Sequence, residues 1–248
     1  MAAITNNPCF PQPNNLKVKI WRYMDFTKYV SLLTTSSLFL SRIDLLGDPF
    51  EGSYSKANIR LRPSVYKNLE PKARENFINF TPKVAKWYRQ WAYANCWHMN
   101  NYESAAMWKL YSKSNEAVAI QAIYSKVIEI LPSDLFIGLV QYINYETEWL
   151  PEGYLLYPFM HKRNSFSHEK EVRIIKPEFP LENERLAIGK KNTLKGILIK
   201  INLEELLENI YVAPTAPEWY YDLVVDISAK YNIKNKIQYS KLDELPVF

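Results

Sequence analysis

His168-Glu169-Lys170-Glu171-Val172-Arg173-Ile174-Ile175 is the stretch on which the fold turns. It is the most conspicuous charged run in a sheet-like context, and on a β-strand successive side chains point to opposite faces. Read as a strand over 169–175, it places Glu169, Glu171 and Arg173 on one face and Lys170, Val172 and Ile174 on the other. A lysine at the entrance of an apolar face is accommodated by snorkelling. The acidic and basic face has two readings. It is either a solvated sheet face with cross-strand ion pairs, or a catalytic or ligand-orienting carboxylate with a basic residue beside it.

Working outward, residues 17–23 alternate as a half-buried strand, and 26–35 carry Phe26, Tyr29, Val30 and Leu33 at helical spacing with Asp25 as N-cap. Short strands are expected at 38–41, 94–98, 117–122, 137–145, 197–201, 210–213 and 236–239. Helices are expected over 63–93, 103–111, 125–131, 151–163, 203–208 and 217–231. Residues 44–53 have turn chemistry throughout. Strands and helices do not alternate strictly, which predicts an α+β domain rather than a doubly wound parallel sheet. Residues 1–15, rich in Asn and Pro, read as a flexible lead-in, and 16–248 as a single domain without repeats or a composition break.

The chain has 248 residues, 48% hydrophobic, with 18 Tyr, 11 Phe and 7 Trp, enough to build a sizeable core. A net charge of +5 is compatible with an anionic partner but is not the dense basic signature of a dedicated nucleic-acid binder. Two cysteines and three histidines make neither a disulfide framework nor a zinc site, so no metal is expected. Cys96, in apolar company, reads as a buried inert thiol. None of the six glycines falls in GxGxxG or GxxxxGK[ST], which disfavours a Rossmann site and a P-loop. The N-terminus lacks the pattern of a signal peptide, and no apolar run of about 18 residues exists. The expectation is a cytoplasmic protein without a membrane partner.

Four constellations carry candidate chemistry besides ordinary structural roles. Glu169, Glu171 and Arg173 lie on the charged strand. Arg22-Tyr23 ends the first strand, and a guanidinium there is either a surface group or a bidentate phosphate clamp. Asp48 and Glu51, with Asp44 before them, are turn residues that could also hold Arg22 or Arg173, or a metal. Asn95-Cys96-Trp97-His98 runs into Glu103-Ser104-Ala105-Ala106-Met107-Trp108, where Trp108 and Tyr111 read as core or as cleft lining. Lys162-Arg163 offer phosphate contacts or a helix end meeting its dipole.

Together, Trp21-Arg22-Tyr23, Gly47-Asp48-Pro49-Phe50-Glu51-Gly52, the run from Glu103 to Tyr111 and the run from His168 to Arg173 resemble a widespread bacterial family of domains of unknown function. The resemblance continues through 210–242. In order and kind of element the chain also resembles ADP-ribosyltransferases, which place an Arg or His on an early strand, a hydroxyl-bearing strand running into a helix, and a Glu-x-Glu on a late strand. That second resemblance implies an ADP-ribosyltransferase-like fold, a mixed, mainly antiparallel central sheet with flanking helices. It further implies NAD as co-substrate, and a macromolecular acceptor: RNA, DNA or protein. Carried over residue by residue, Glu171 is the catalytic carboxylate, Glu169 aligns the acceptor and Arg22 grips the pyrophosphate. Tyr23, Trp97 or Trp108 stacks on nicotinamide, with Ser104 and Arg173 completing the NAD site. Asn95-Cys96-Trp97-His98 lacks the Ser-Thr-Ser hydroxyls of that family. Such enzymes often serve as toxins, sometimes with an antitoxin, or in anti-phage defence. Two other readings stand beside it: a nuclease holding Mg²⁺ on Asp44, Asp48 or Glu51 and Glu169 with Lys170 nearby, and a non-enzymatic binding or regulatory module.

Overall fold

A computed structural model describes residues 2–112, 114–233 and 236–247. The first half of the chain contains β1 (Lys19–Asp25), α1 (Phe26–Thr35), β2 (Ser37–Arg42), α2 (Lys56–Val65), α3 (Pro71–Tyr88), β3 (Ala92–Met99), α4 (Ala105–Tyr111) and β4 (Ala117–Ile123). Then follow α5 (Tyr124–Ile130), β5 (Phe136–Leu139), β6 (Gln141–Ile143), β7 (His161–Arg163), β8 (Glu171–Pro177), β9 (Leu181–Glu182) and β10 (Arg185–Leu186). The chain closes with β11 (Gly196–Lys200), α6 (Leu203–Leu206), β12 (Asn209–Val212), α7 (Glu218–Lys230) and β13 (Ile237–Tyr239). The architecture is α+β: a mixed, mainly antiparallel nine-stranded sheet with flanking helices, in which only β12 and β13 run parallel.

The sheet pivots on β3. One edge of β3 pairs with β8 along its length, from Ala92 opposite Pro177 to His98 opposite Glu171. The other edge is shared. β2 takes its start (Ser41 opposite Ala94, Arg42 opposite Tyr93), and β1 takes its end (Trp21 opposite His98, Ile20 opposite Met99). Residues 95–97 have no ladder partner on that edge among the described residues, so the sheet is split between β1 and β2. Beyond β1 the order continues through β4, β12 and β13; beyond β2 it ends at β11.

Burial follows the alternation. One sheet face, with Ile20, Leu38, Leu40, Trp97, Ile120, Val172 and Ile174, meets α1, α5, α6 and α7 in the main core. The opposite face carries two smaller apolar clusters. One gathers Trp87 and Tyr88 of α3 with Phe159, Met160 and Ile175; the other gathers Met107 and Trp108 of α4 with Trp21, Tyr23 and Ala119.

Three expectations need correction. Residues 1–15 are not a flexible lead-in in the part described: Ile4 bridges Phe136, Ala3, Cys9 and Phe10 are buried, and Phe10 stacks on Phe136 at 5.0 Å. The helical pattern over 63–93 is two helices. α3 starts with Pro71 at its first positions and the Glu70 carboxylate accepting from Ala73 N–H at 2.9 Å, so the connection after α2 is a break rather than a continuation. Residues 151–163 form turns, a 3-10 segment (Tyr157–Met160) and β7 instead of a helix. Gly153 and Pro158 punctuate that stretch, and apolar spacing alone cannot tell a short buried 3-10 turn from a helix.

Candidate functional site

The charged stretch is a strand only from Glu171 onward. Residues Asn164–Glu169 form a 3-10 segment closed by Lys170, whose φ of 40° is left-handed, and this reverses the chain before β8 begins. Glu169 therefore does not share the Glu171 face by strand alternation, and Lys170 is exposed rather than set at the apolar face. The two carboxylates are nonetheless brought together, through Lys162. Its Nζ lies 2.6 Å from Glu169 Oε2, 3.4 Å from Glu171 Oε2 and 3.3 Å from Glu51 Oε1.

Arg173 completes the cluster. Fully buried, its guanidinium donates to Glu171 Oε1 (2.7 Å) and Oε2 (3.0 Å), to Glu51 Oε2 (2.9 Å) and Oε1 (3.3 Å), and to the Phe159 carbonyl (2.6 Å). With its donors so engaged, Arg173 positions carboxylates instead of offering itself to a ligand, contrary to the cofactor-binding role expected of it. The charged face is thus no solvated face: Glu51, Glu169, Glu171, Lys162 and Arg173 are all buried, three formal negative charges against two positive. Burial raises the Glu171 carboxyl, but Arg173 and Lys162 outweigh that and hold it well below the ordinary carboxylate range. Lys162 is displaced the opposite way: burial lowers it, and Glu171 and Glu51 more than compensate. Tyr142 accepts the Glu171 amide at 2.8 Å, and Tyr111 donates to Glu169 Oε1 at 3.3 Å.

The turn over 44–53 holds the rest of this wall. Arg163 clamps Asp48 with two bonds (2.8 and 3.1 Å) while lying over the Phe50 ring at 4.4 Å. Gly52, at φ 69°, passes so close to Phe159 that a Cβ would meet its ring at 2.9 Å. Asp44 is taken by Arg42 at 2.7 Å. Among the described residues no group of three or more His, Cys, Asp or Glu stands ready to hold a metal ion. The carboxylates expected to bind Mg²⁺ are each occupied by a cation.

A cleft of about 840 Å³ opens at the split in the sheet, within the range of roughly 300–1,000 Å³ typical of small-molecule sites. Two side chains span the split: Asn95 Nδ2 donates to the Phe39 carbonyl (2.9 Å) and Arg22 Nη1 to the Cys96 carbonyl (3.3 Å). Register puts Arg22 on the sheet face opposite to His98 and Glu171, yet both Arg22 and Glu171 line the cleft, because the gap joins the two faces. The expected pairing of Arg22 with Glu171 is therefore a shared cleft and not a contact. Burial lowers the Arg22 pKa, and the contributions that oppose it come from Cys96 and Tyr111, not from a carboxylate.

Of the other expected cofactor contacts, Tyr23 and Trp97 line the cleft but are largely buried, Trp97 within the main core. The Tyr23 hydroxyl accepts the Ser104 amide at 2.8 Å. Ser104 caps α4, accepting from Met107 N–H at 3.4 Å, and Trp108 stands edge-on to Tyr23 with its Nε1 donating to Glu103 at 3.0 Å. Ser104 and Trp108 thus support the cleft wall from behind. Cys96, half-buried, lines the cleft, and burial raises its thiol, with the Glu171 charge adding to the rise. His98 sits beside it; its Nδ1–H donates to the Glu169 carbonyl at 2.6 Å, and burial lowers the pKa of the ring. The cleft aromatics with exposed surface are Phe39, Tyr111 and Phe166. Neither Phe39, set between two leucines, nor Phe166, set between two serines, carries a local sign in sequence of facing a cleft.

No protein-family model, curated protein or solved structure matches this chain. No helix among the described residues is long and apolar enough to cross a membrane.

Proposed function

We propose that this chain is an NAD-dependent ADP-ribosyltransferase with a macromolecular acceptor, on an ADP-ribosyltransferase-like fold. One observation carries the reading: a split sheet whose cleft is lined by Arg22, a guanidinium without a carboxylate partner among the described residues, and by an ionised, rigidly held carboxylate, Glu171. The charge layout suits NAD. Its diphosphate matches Arg22, and its cationic nicotinamide matches a buried cluster with one formal negative charge in excess. NAD supplies a ribose carbon from which nicotinamide departs, with positive charge growing on the sugar. Glu171, ionised through Arg173 and Lys162, is a fixed counter-charge that needs no reorganisation as that charge develops. Glu169, at the end of the 3-10 segment, orients the acceptor, and Lys162 holds it beside Glu171. Tyr111 and Phe39 are the exposed rings against which an aromatic group can stack.

The test is transfer of label from NAD to macromolecules of a cell lysate. Glu171→Gln is expected to reduce transfer by about 10²–10³. The variant leaves two formal negative and two positive charges in the cluster, so the fold is retained. Equal labelling by wild type and variant removes Glu171 from the mechanism. Magnesium-dependent cleavage of nucleic acid, abolished by chelator and indifferent to NAD, is the result that favours a nuclease instead.

A further inference from the structure

The basic excess of the chain is concentrated in one place. Of its 31 Lys and Arg and 26 Asp and Glu, residues 56–89 hold nine and two, leaving 22 against 24 elsewhere. These residues are α2, α3, their connection and Arg89; two of the nine cations, Arg62, which is buried, and Lys56, are paired with Glu152 and Glu146 outside the segment. α3 is anchored at its end, where Trp87 and Tyr88 enter the core and Trp87 Nε1 donates to the Lys190 carbonyl at 2.8 Å. Its residues 71–83 are largely exposed, including Lys72, Phe77, Phe80 and Lys83. Asn76, Phe77, Asn79, Phe80 and Lys83 line a shallow groove there. Exposed Arg60 of α2 and Lys67 of the connection add to it, and Tyr66 backs the Phe77 ring at 4.7 Å.

We infer that this helical pair is a docking surface for single-stranded nucleic acid. Phosphates need dispersed cations, and unstacked bases need ring faces and amides that both donate and accept; Phe80, Asn76, Asn79 and the flanking lysines provide that combination. The surface is continuous with the cleft wall. The Arg89 carbonyl accepts the Asp44 amide at 3.4 Å, and a Cβ on Gly52 would lie 3.0 Å from Arg89 Cγ, in the 44–53 turn that carries Asp48 and Glu51.

The experiment is fluorescence anisotropy with labelled single-stranded RNA and DNA of about 20 nucleotides, longer than one binding site, in the absence of NAD. Binding is expected, and it should weaken roughly fifty-fold between about 50 and 200 mM salt if four phosphates are engaged. Phe80→Ala should weaken it about tenfold or more, and Lys83→Ala should reduce the salt slope by about 0.7. Both side chains are exposed, so unchanged circular dichroism confirms the fold. Glu171→Gln should bind as wild type does, which separates this surface from the transferase reading. No binding at low salt, binding indifferent to Phe80→Ala and Lys83→Ala, or capture by phosphatidylserine vesicles in place of the oligonucleotides would overturn the inference.

Discussion

Arg173 shows how much of the site rests on one buried side chain. Fully buried itself, it donates to two carboxylates and a carbonyl, and removing one partner of a buried ion pair costs about 3–5 kcal/mol. Arg173→Met should lower stability by that amount in urea denaturation, and a loss below about 1 kcal/mol would mean the network relaxes around the gap. Glu171 also sets a pH dependence. Its carboxyl is held below its unfolded value of about 4.3, so its contribution is complete above that pH and is lost as pH falls toward the folded value. Thermal stability should therefore drop below about pH 4, and less steeply in Glu171→Gln. The residues of this cluster were legible in sequence as charged positions, but their partners were not. Glu51 and Arg173 meet across 122 residues, and Arg163 and Asp48 across 115, which no local pattern encodes.

Elements with a strong period or a cap can be read directly: α1 between Asp25 and Thr35, α4 behind Ser104, β4 from Ala117 and α7 all lie within two residues of the sequence reading. Errors cluster where one residue changes the backbone. Lys170 in a left-handed conformation delays the strand until Glu171, although nothing in the run from His168 to Arg173 marks a break in sequence. The N-terminal stretch was misread because Asn and Pro mark turns as readily as disorder; here they let Phe10 lie across β5. Gly138 is what permits that crossing, since a Cβ there would meet the Phe10 backbone at 2.8 Å. Gly138→Ala should displace the segment and cost about 1–3 kcal/mol, read as a shifted urea midpoint. An unchanged midpoint would show that the N-terminal packing contributes little.

At the scale of the whole molecule, the decisive feature is that β1 and β2 share one edge of β3. The sequence supplies both strands, but the sharing is a matter of non-local pairing, so the split and the cleft at it could not be read in advance. What the split does is bring Arg22, on one face of the sheet, into the same space as Glu171 on the other. Arg22 has no ion pair to lose among the described residues, so Arg22→Ala should change stability by less than about 1 kcal/mol. The most direct test is calorimetric titration of NAD into the wild type and this variant. The account predicts saturable binding of one NAD per chain, weakened at least about tenfold in Arg22→Ala with an unaltered melting temperature. Absence of NAD binding, or equal affinity in the two proteins, would contradict it.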